Sequence, residues 1–103
     1  MASGTISKMK WGTPIFPLSA DRTSNWSFTA PSFGFLYAGM RSTSRNYIGI
    51  KVNGTAIIGY ASSDSADNVA YAVPCNAGDV VDFEGLTTNT FLIRALTFFI
   101  SFE

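Results

Sequence analysis

The chain has 103 residues, of which 47% are hydrophobic and only 14% charged, and this composition excludes a disordered chain. The apolar residues are too evenly spread along the sequence for a membrane-spanning helix. It contains no histidine and one cysteine, Cys75, which excludes histidine-based catalysis, most zinc sites and an intramolecular disulfide. Seven basic and seven acidic residues give zero net charge, which argues against a nucleic-acid-binding face.

The apolar runs are short, rich in β-branched and aromatic residues and interrupted by glycine and proline, and none shows a helical period. This pattern predicts an all-β chain folded as an antiparallel β-sandwich in a single domain. We expect residues 26–103 to form the sandwich and residues 1–25 to supply a first strand or a junction to a preceding shaft. The amino terminus lacks the apolar core of a signal peptide.

The first long strand is predicted over residues 33–39, directly after Pro31. Its nearly continuous apolar character is typical of a strand that is covered on both faces.

The clearest local signal is Asn53-Gly54, which lies between two apolar runs within residues 47–60. This dipeptide is typical of a two-residue type I′ turn, so the segment predicts a β-hairpin. Such a turn fixes the register and with it the side chains that share a face. The predicted pairs are Val52 with Thr55, Ile50 with Ile57 and Ile48 with Gly59.

The next strand is predicted over residues 69–73, where large and small side chains alternate. Pro74 is expected to end it, because proline has no backbone N–H to donate to a strand partner. Residues 76–79 read as a turn that leads into a strand over residues 80–83, and residues 85–89 read as a polar loop.

The last segment, residues 91–102, predicts one strand that is apolar on both faces. A terminal strand of this kind has to be held between other elements, because a free chain end frays. One of its faces is covered by the sandwich core, and the other needs cover from a second copy of the chain. The predicted subunit interface consists of Leu92, Leu96, Phe98, Ile100 and Phe102.

The segments between the strands predict loops at residues 41–46, 61–68 and 86–89, and loops at the ends of a sandwich commonly form binding sites. An aromatic ring offers apolar contact to a sugar ring while neighbouring polar groups bind its hydroxyls. The residues that we predict to line such a recognition surface are Trp26, Arg41, Arg45, Tyr60, Asp64, Asp67, Asn68 and Asn89.

Other chemistry receives less support from the sequence. Asp82 and Glu84 project to the same side of a strand and could form a carboxylate pair for glycoside hydrolysis. Two solvated charges at a strand edge explain them better. Asp64 and Asp67 offer oxygen atoms to calcium without the spacing of an ordered calcium loop. Cys75 is expected to be a small buried side chain. We therefore predict no catalytic residue, no cofactor and no metal.

The charges are divided unevenly along the chain. Residues 1–51 contain six basic residues and one acidic residue, and residues 52–103 contain one basic residue and six acidic residues. The two halves either interleave and pair their charges within one domain, or they form complementary faces between neighbouring subunits.

Several segments follow one another in a familiar order. Residues 28–31 read Phe-Thr-Ala-Pro with Gly34 behind them, residues 48–56 hold a strand, an Asn-Gly turn and a strand, and residues 73–81 read Val-Pro-Cys-Asn-Ala-Gly-Asp-Val-Val. An aromatic strand that ends at Phe102 closes the chain. In this order the chain resembles the jelly-roll family of tumour necrosis factor and the complement globular head. More narrowly, it resembles the small trimeric domains that end many bacteriophage tail fibres and receptor-binding proteins.

The resemblance implies a homotrimer with the terminal strands near the three-fold axis and binding loops at the far end. It implies no catalysis. The composition and the zero net charge lead us to expect no membrane insertion and no nucleic-acid partner. The expected function is recognition of a host-surface receptor, a glycan in the first instance, at the tip of a virion fibre or otherwise outside a cell. A purely structural trimerisation cap and a secreted lectin or cytokine-like protein are the alternatives.

Overall fold

The computed structural model describes residues 10–42, 46–62, 67–85 and 91–102, and these form two antiparallel β-sheets packed face to face. The eight strands are β1 (Trp26–Thr29), β2 (Gly34–Ser42), β3 (Asn46–Val52), β4 (Thr55–Ser62), β5 (Asp67–Cys75), β6 (Val80–Gly85), β7 (Phe91–Ile93) and β8 (Phe98–Ser101). The described residues contain no helix that could cross a membrane.

The first sheet has the order β1-β6-β3-β4 and is called here the β3 sheet. The second, the β2 sheet, has the order β5-β2-β7, with β8 pairing the other half of β2. Residues 10–25, the N-terminal segment, lie along β7 and β8 through antiparallel bridges such as Trp11–Phe102 and Arg22–Ile93.

The connectivity is that of a jelly roll. Counted with the N-terminal segment as the first strand and β7–β8 as the last, the sheets read 1-8-3-6 and 2-7-4-5. This interleaving arises when two Greek keys wrap around one core. The predicted all-β, jelly-roll-like sandwich is therefore confirmed.

The core lies between the two sheets and is built from alternate residues of nearly every strand. One polar side chain, Thr97, is fully buried there, and its hydroxyl accepts a hydrogen bond from the backbone N–H of Gly39 at 3.1 Å. The largest fully buried apolar side chains are those of Leu36, Met40, Ile48, Ile50, Val73, Val81, Phe83, Phe91, Ile93 and Phe99.

The predicted hairpin is present, but two of its three predicted residue pairs are wrong. Asn53 and Gly54 have φ angles of 52° and 84°, as a type I′ turn requires. A bulge then shifts the pairing between Ile50 and Lys51, so that Ile50 faces Ile58. The extra residue in β4 reverses the alternation of faces beyond it, which leaves Ile57 47% exposed and packs Ile58 against the core. Of the predicted pairs, Val52–Thr55 is confirmed, whereas Ile50–Ile57 and Ile48–Gly59 are wrong.

The strand after the hairpin does not end at Pro74 as predicted. β5 continues through Pro74 to Cys75, with Pro74 opposite Phe35 of β2. β5 is the edge of its sheet, where a missing N–H removes no hydrogen bond to a neighbouring strand. The turn over residues 76–79 follows as expected, with Gly78 at a φ of 88°.

The predicted closing strand is interrupted. A turn separates β7 from β8, with the N–H of Thr97 donating to the carbonyl of Arg94 at 3.0 Å. The faces nevertheless keep the predicted alternation, since Phe91, Ile93 and Phe99 are buried. The turn lets one chain segment pair with the two halves of β2 in succession.

The long strand predicted over residues 33–39 is β2, and it is covered within this chain on one face only. Leu36 and Met40 point into the core, while Tyr37 is 41% exposed on the opposite face. The continuous apolar character of this strand thus reflects an outer face that is itself apolar.

Candidate functional site

The outer face of the β2 sheet carries a continuous apolar surface. Its members come from the N-terminal segment, β2 and the last strand, and they alternate with buried core residues. They surround a shallow groove of about 430 Å³, whose remaining wall is Ala72 of β5. We call this surface the aromatic face, and it consists of Trp11, Phe35, Tyr37, Phe98, Ile100 and Phe102.

The rings of the aromatic face pack against one another. Trp11 lies with its centroid 4.4 Å from that of Phe102 and 5.6 Å from that of Phe35, and Tyr37 stacks on Phe98 at 5.3 Å. These contacts fix the rings before any partner arrives. The Tyr37 hydroxyl and the Trp11 indole N–H are the two polar side-chain groups among them, so the surface fits an apolar partner better than a sugar, which needs several hydrogen bonds.

All five residues of the predicted subunit interface lie on this outer side of the sheet. Phe98, Ile100 and Phe102 belong to the aromatic face itself. Leu96 is 53% exposed in the turn between β7 and β8, and Leu92 lies beside Arg41 at the far end of β2. The sequence therefore placed these side chains on one face correctly, and their burial against another copy of the chain stays a prediction.

The strands that flank the predicted binding loops end at the same end of the sandwich. The strand ends that flank residues 43–45, 63–66 and 86–90 meet there, as the pairs Arg41–Asn68 and Asn46–Ser62 show. Three predicted site residues, Arg45, Asp64 and Asn89, lie outside the described residues, and so does the proposed calcium position at Asp64.

Four other predicted loop residues lie in strands. β2 and β5 pair as far as Ser42 and Asp67, which places Arg41 and Asn68 opposite each other within the sheet. Tyr60 and Asp67 lie in β4 and β5, and their side chains are outside the described part of the structure. The loop prediction was wrong here because polar composition marks a loop only when no neighbouring strand supplies backbone partners.

Trp26 is not a free platform for a sugar. Its ring stacks on Phe83 at 5.3 Å and packs against the hydrophobic core from the edge of the β3 sheet. The alternation along β1 explains this, because Trp26 shares the inner face with Phe28.

A polar cluster at the end of the sandwich that carries Arg41 and Asn68 joins residues from distant parts of the chain. Arg94 donates from Nη1 to Oδ1 of Asn68 at 3.3 Å, and its Nε lies 3.5 Å from Oδ2 of Asp21. Oδ1 of the same Asp21 accepts the N–H of Ala95 at 2.7 Å, which fixes the carboxylate. We call Asp21, Arg41, Asn68 and Arg94 the arginine corner.

A groove of about 250 Å³ opens beside the arginine corner. Its walls are Asn68, Val69 and Ala70 on one side, and Arg94 with Leu96 on the other. Gly39 forms part of the floor, where Leu96 lies over it. Sequence reasoning missed Asp21 and Arg94 here because only the strand register brings them to Asn68.

The carboxylates of β6 are engaged within the β3 sheet. Asp82 accepts a hydrogen bond from the Ser27 hydroxyl, and Glu84 pairs with Lys51 at 2.9 Å. These contacts agree with solvated charge on a sheet surface. A groove of about 400 Å³ lies beside them, and Trp26 and Phe83 line it together with the carboxylates of Asp82 and Glu84.

The two ion pairs address the uneven charge along the chain. Lys51–Glu84 and Asp21–Arg94 each join a residue of the first half to a residue of the second half. The halves thus interleave within one domain, and Lys51–Glu84 pairs part of the surplus charge of each half, as in the first of the two expectations.

At the opposite end of the sandwich, Asp79 links two turns. The side-chain amide of Asn53 donates to its Oδ1 at 3.0 Å, and the N–H of Asn76 donates to its Oδ2 at 2.8 Å. Both hydrogen bonds stabilise the charged carboxylate and lower the pKa of Asp79, and the bond from the Asn76 N–H has the larger effect.

Burial raises the pKa of the nearby Cys75 thiol, as expected for a core side chain. The described residues hold no cluster of three metal-ligating side chains.

No family model matches the chain, and no characterised protein matches it by sequence. Among solved structures, it is similar to a family 35 carbohydrate binding module from Clostridium thermocellum, with 12% identity, a TM-score of 0.49, and coverage of 91% of this chain and 92% of that one. A family 35 module from an environmental isolate gives 17% identity and a TM-score of 0.46 over 85% of this chain and 75% of that one.

A third structure, the Podospora anserina GH26-CBM35 β-(1,4)-mannanase, gives 12% identity and a TM-score of 0.45. That match covers 93% of this chain and 26% of the mannanase chain. At TM-scores of 0.45 to 0.49, these likenesses assign neither a family nor a ligand to this chain.

Proposed function

We propose that the chain is a non-enzymatic recognition module that assembles as a homotrimer and forms the terminal part of a phage-type fibre. In this proposal the aromatic face is buried between copies, and the end that carries the arginine corner meets a host-surface glycan. The module acts outside the cell, at the tip of a virion fibre.

The observation that carries the proposal is the aromatic face. Trp11 is 51% exposed and Tyr37 is 41% exposed on a surface with no charged side chain in its groove lining. Burying the exposed half of a large aromatic side chain removes about 100 Å² from water and contributes about 2.5 kcal/mol. A face with several such rings therefore gains strongly from a partner of the same character.

A second copy of the chain is the partner that best suits this face. The face belongs to the sheet that contains both the N-terminal segment and the last strand. Those are the elements that the resemblance to trimeric jelly rolls places near a three-fold axis. Three copies around that axis present three binding ends together, which raises avidity by about 10² to 10⁴ without any new contact.

Sedimentation equilibrium at micromolar concentration tests the assembly. The expected mass is three times that of the chain, and Phe98→Asp is expected to lower it. Tyr37→Lys is a second variant, chosen because its exposed side chain makes a polar replacement tolerable in a folded monomer. Ile57→Asp is the matched control, since Ile57 is equally exposed but lies on the other sheet. A folded wild-type monomer would exclude the trimer.

Recognition is tested separately, by binding of the wild-type chain to a panel of glycans. Selective binding to some of the glycans supports the recognition role. A trimer that binds none of them fits the structural trimerisation cap instead.

A further inference from the structure

The outer face of the β3 sheet carries a polar groove, on the side of the molecule away from the aromatic face. It follows β6 between the edge strand β1 and β3. Its volume of about 400 Å³ is within the range of about 300 to 1,000 Å³ that small-molecule sites occupy. We call it the β6 groove, and its polar lining consists of Asn25, Ser27, Lys51, Asp82 and Glu84.

The strand register brings these polar side chains together from three strands. Ser27 of β1 and Lys51 of β3 both pair with Asp82 of β6, so the three residues form a row across the sheet. Glu84 is two residues further along β6 and shares the face of Asp82, because alternate residues of a strand point to the same side. Asn25 precedes β1, and its Oδ1 accepts the N–H of the last residue of β6 at 3.2 Å.

Contacts within the β6 groove hold its carboxylates in place before any ligand arrives. The Ser27 hydroxyl donates to Oδ1 of Asp82, and Nζ of Lys51 lies 2.9 Å from Oε1 of Glu84. A carboxylate has two oxygens and can accept about four hydrogen bonds, so one such contact does not exhaust its capacity. The side chains of Lys51 and Glu84 are 43% and 45% exposed, so a ligand can reach them from solvent.

The mixture of polar groups selects the class of ligand. The lining offers two carboxylates, one ammonium, one amide and one hydroxyl. A sugar carries several hydroxyls, each of which donates and accepts hydrogen bonds, and it therefore matches a lining of both kinds. An anion would meet two carboxylates against one ammonium, and a small cation would use the carboxylates alone and leave most of the groove empty.

The β6 groove stays open in the proposed trimer. That assembly buries the aromatic face of the β2 sheet, whereas the groove lies on the outer face of the β3 sheet. Glu84 is also next to the end of β6 that leads into residues 86–90. The groove thus reaches towards the end of the sandwich that is proposed to meet a glycan.

We infer that the β6 groove binds a neutral sugar unit, whose hydroxyls donate to the carboxylates of Asp82 and Glu84. This inference rests on the recognition function proposed above and names the ligand class and its place on the fold. Hydrogen bonds from hydroxyls to charged acceptors are short and strong, so the two carboxylates contribute most of the selectivity.

The test follows the backbone amide signals of the full chain by NMR during titration with single sugars. The neutral probes are glucose, galactose, mannose and N-acetylglucosamine, and the charged probes are glucuronic acid and glucosamine. We expect at least one neutral sugar to shift the amides of residues 25–27 and 82–84 along a saturable curve. Glucuronic acid is expected to bind more weakly, because the groove lining repels its carboxylate.

Three variants test the residues of the groove. Asp82→Asn removes a charged acceptor at nearly constant size and is expected to weaken binding by about tenfold to a hundredfold. Ser27→Ala removes the hydroxyl that holds Asp82 and is expected to cause a smaller loss. Thr29→Val is the matched control, because Thr29 lies on the same face of β1, outside the groove lining. A thermal melt of each variant verifies that it is folded.

Several outcomes overturn the inference. They are the absence of shifts with all four neutral sugars, shifts confined to residues outside the groove, and an affinity that Asp82→Asn leaves unchanged. Much tighter binding of glucosamine than of glucose, lost as salt is added, shows a cation site and overturns it as well.

The glycan panel separates these failures from failure of the proposed function. Selective binding to the panel without shifts in the β6 groove keeps glycan recognition and overturns only the inference. A chain that binds neither the panel nor the six sugars loses both. Groove binding by a protein that sediments as a monomer supports the inference and removes only the trimer.

Discussion

The β-bulge in the hairpin makes a sharp prediction about two adjacent isoleucines. Ile58 faces Ile50 and packs against the core, whereas Ile57 is the extra residue and lies half exposed. Replacing a buried isoleucine by alanine lowers the free energy of unfolding by about 2 to 5 kcal/mol, from lost transfer energy and the cavity left behind. Ile58 is only partly buried, so we expect Ile58→Ala to cost about 2 kcal/mol.

Ile57→Ala is the matched variant, since it deletes the same atoms one residue away. Surface substitutions change the free energy of unfolding by no more than about 0.5 kcal/mol, so Ile57→Ala is expected to stay within that range. Urea unfolding at one fixed protein concentration measures both variants, with the free energy taken from the midpoint and slope of each curve.

The regular register that the sequence predicts makes the opposite claim, because it places Ile57 on the inner face opposite Ile50. If Ile57→Ala lost more stability than Ile58→Ala, the bulge and the faces assigned beyond it would be wrong. Equal losses would mean that both side chains are packed, which the exposure of Ile57 contradicts.

Three further predictions concern single residues. Because the pKa of Asp79 is lowered in the folded state, its carboxylate stabilises the protein fully above the unfolded pKa of about 3.9, and this contribution is lost as the pH falls through the folded value. The melting temperature of the wild type should therefore exceed that of Asp79→Asn most at neutral pH, and the difference should shrink as the pH falls below about 4. Gly34→Ala should lower the free energy of unfolding by about 3 kcal/mol, because the new Cβ would clash with the backbone carbonyl of Ile100. Gly39→Ala should lower it by only about 1 kcal/mol, because the Cβ there meets the movable side chain of Leu96. Urea unfolding measures both variants. Cys75, 2% exposed, should react with a thiol reagent in urea but hardly in the native protein.

Each of these has a result that would refute it. A constant difference in melting temperature from pH 7 to pH 3 would show that the Asp79 carboxylate plays no part in joining the turns. Equal losses for the two glycine variants would contradict the close backbone approach at Gly34. Rapid labelling of Cys75 in the folded protein would contradict its burial.

Local signals in the sequence predicted the local structure well. Asn53-Gly54 specified its turn, since few other residues adopt two successive positive φ angles. The alternation in residues 91–102 assigned inner and outer faces correctly, even across a turn that the pattern did not reveal. Both predictions depend only on residues close together in the chain.

Features that depend on a distant partner were not predictable. The bulge at Ile57 lies opposite the part of β3 that also pairs with β6, and nothing in the isoleucine run marks it. Pro74 looks like the end of a strand until the topology shows that β5 is an edge. The arginine corner is the strongest case, because Asp21 and Arg94 are 73 residues apart in the sequence and meet only when the sheet forms.

The pairing of the N-terminal segment with the last strand also determines the order in which the molecule can fold. Trp11 pairs with Phe102, and β2 needs β7 and β8 on one of its sides. During synthesis the hairpin of β3 and β4 can form early, but the β2 sheet stays open until β7 and β8 have been made. Contacts this distant in sequence are typical of slow folding. The rings of the aromatic face therefore come together last. A chaperone that holds the nascent chain would shield these rings from other chains through most of translation.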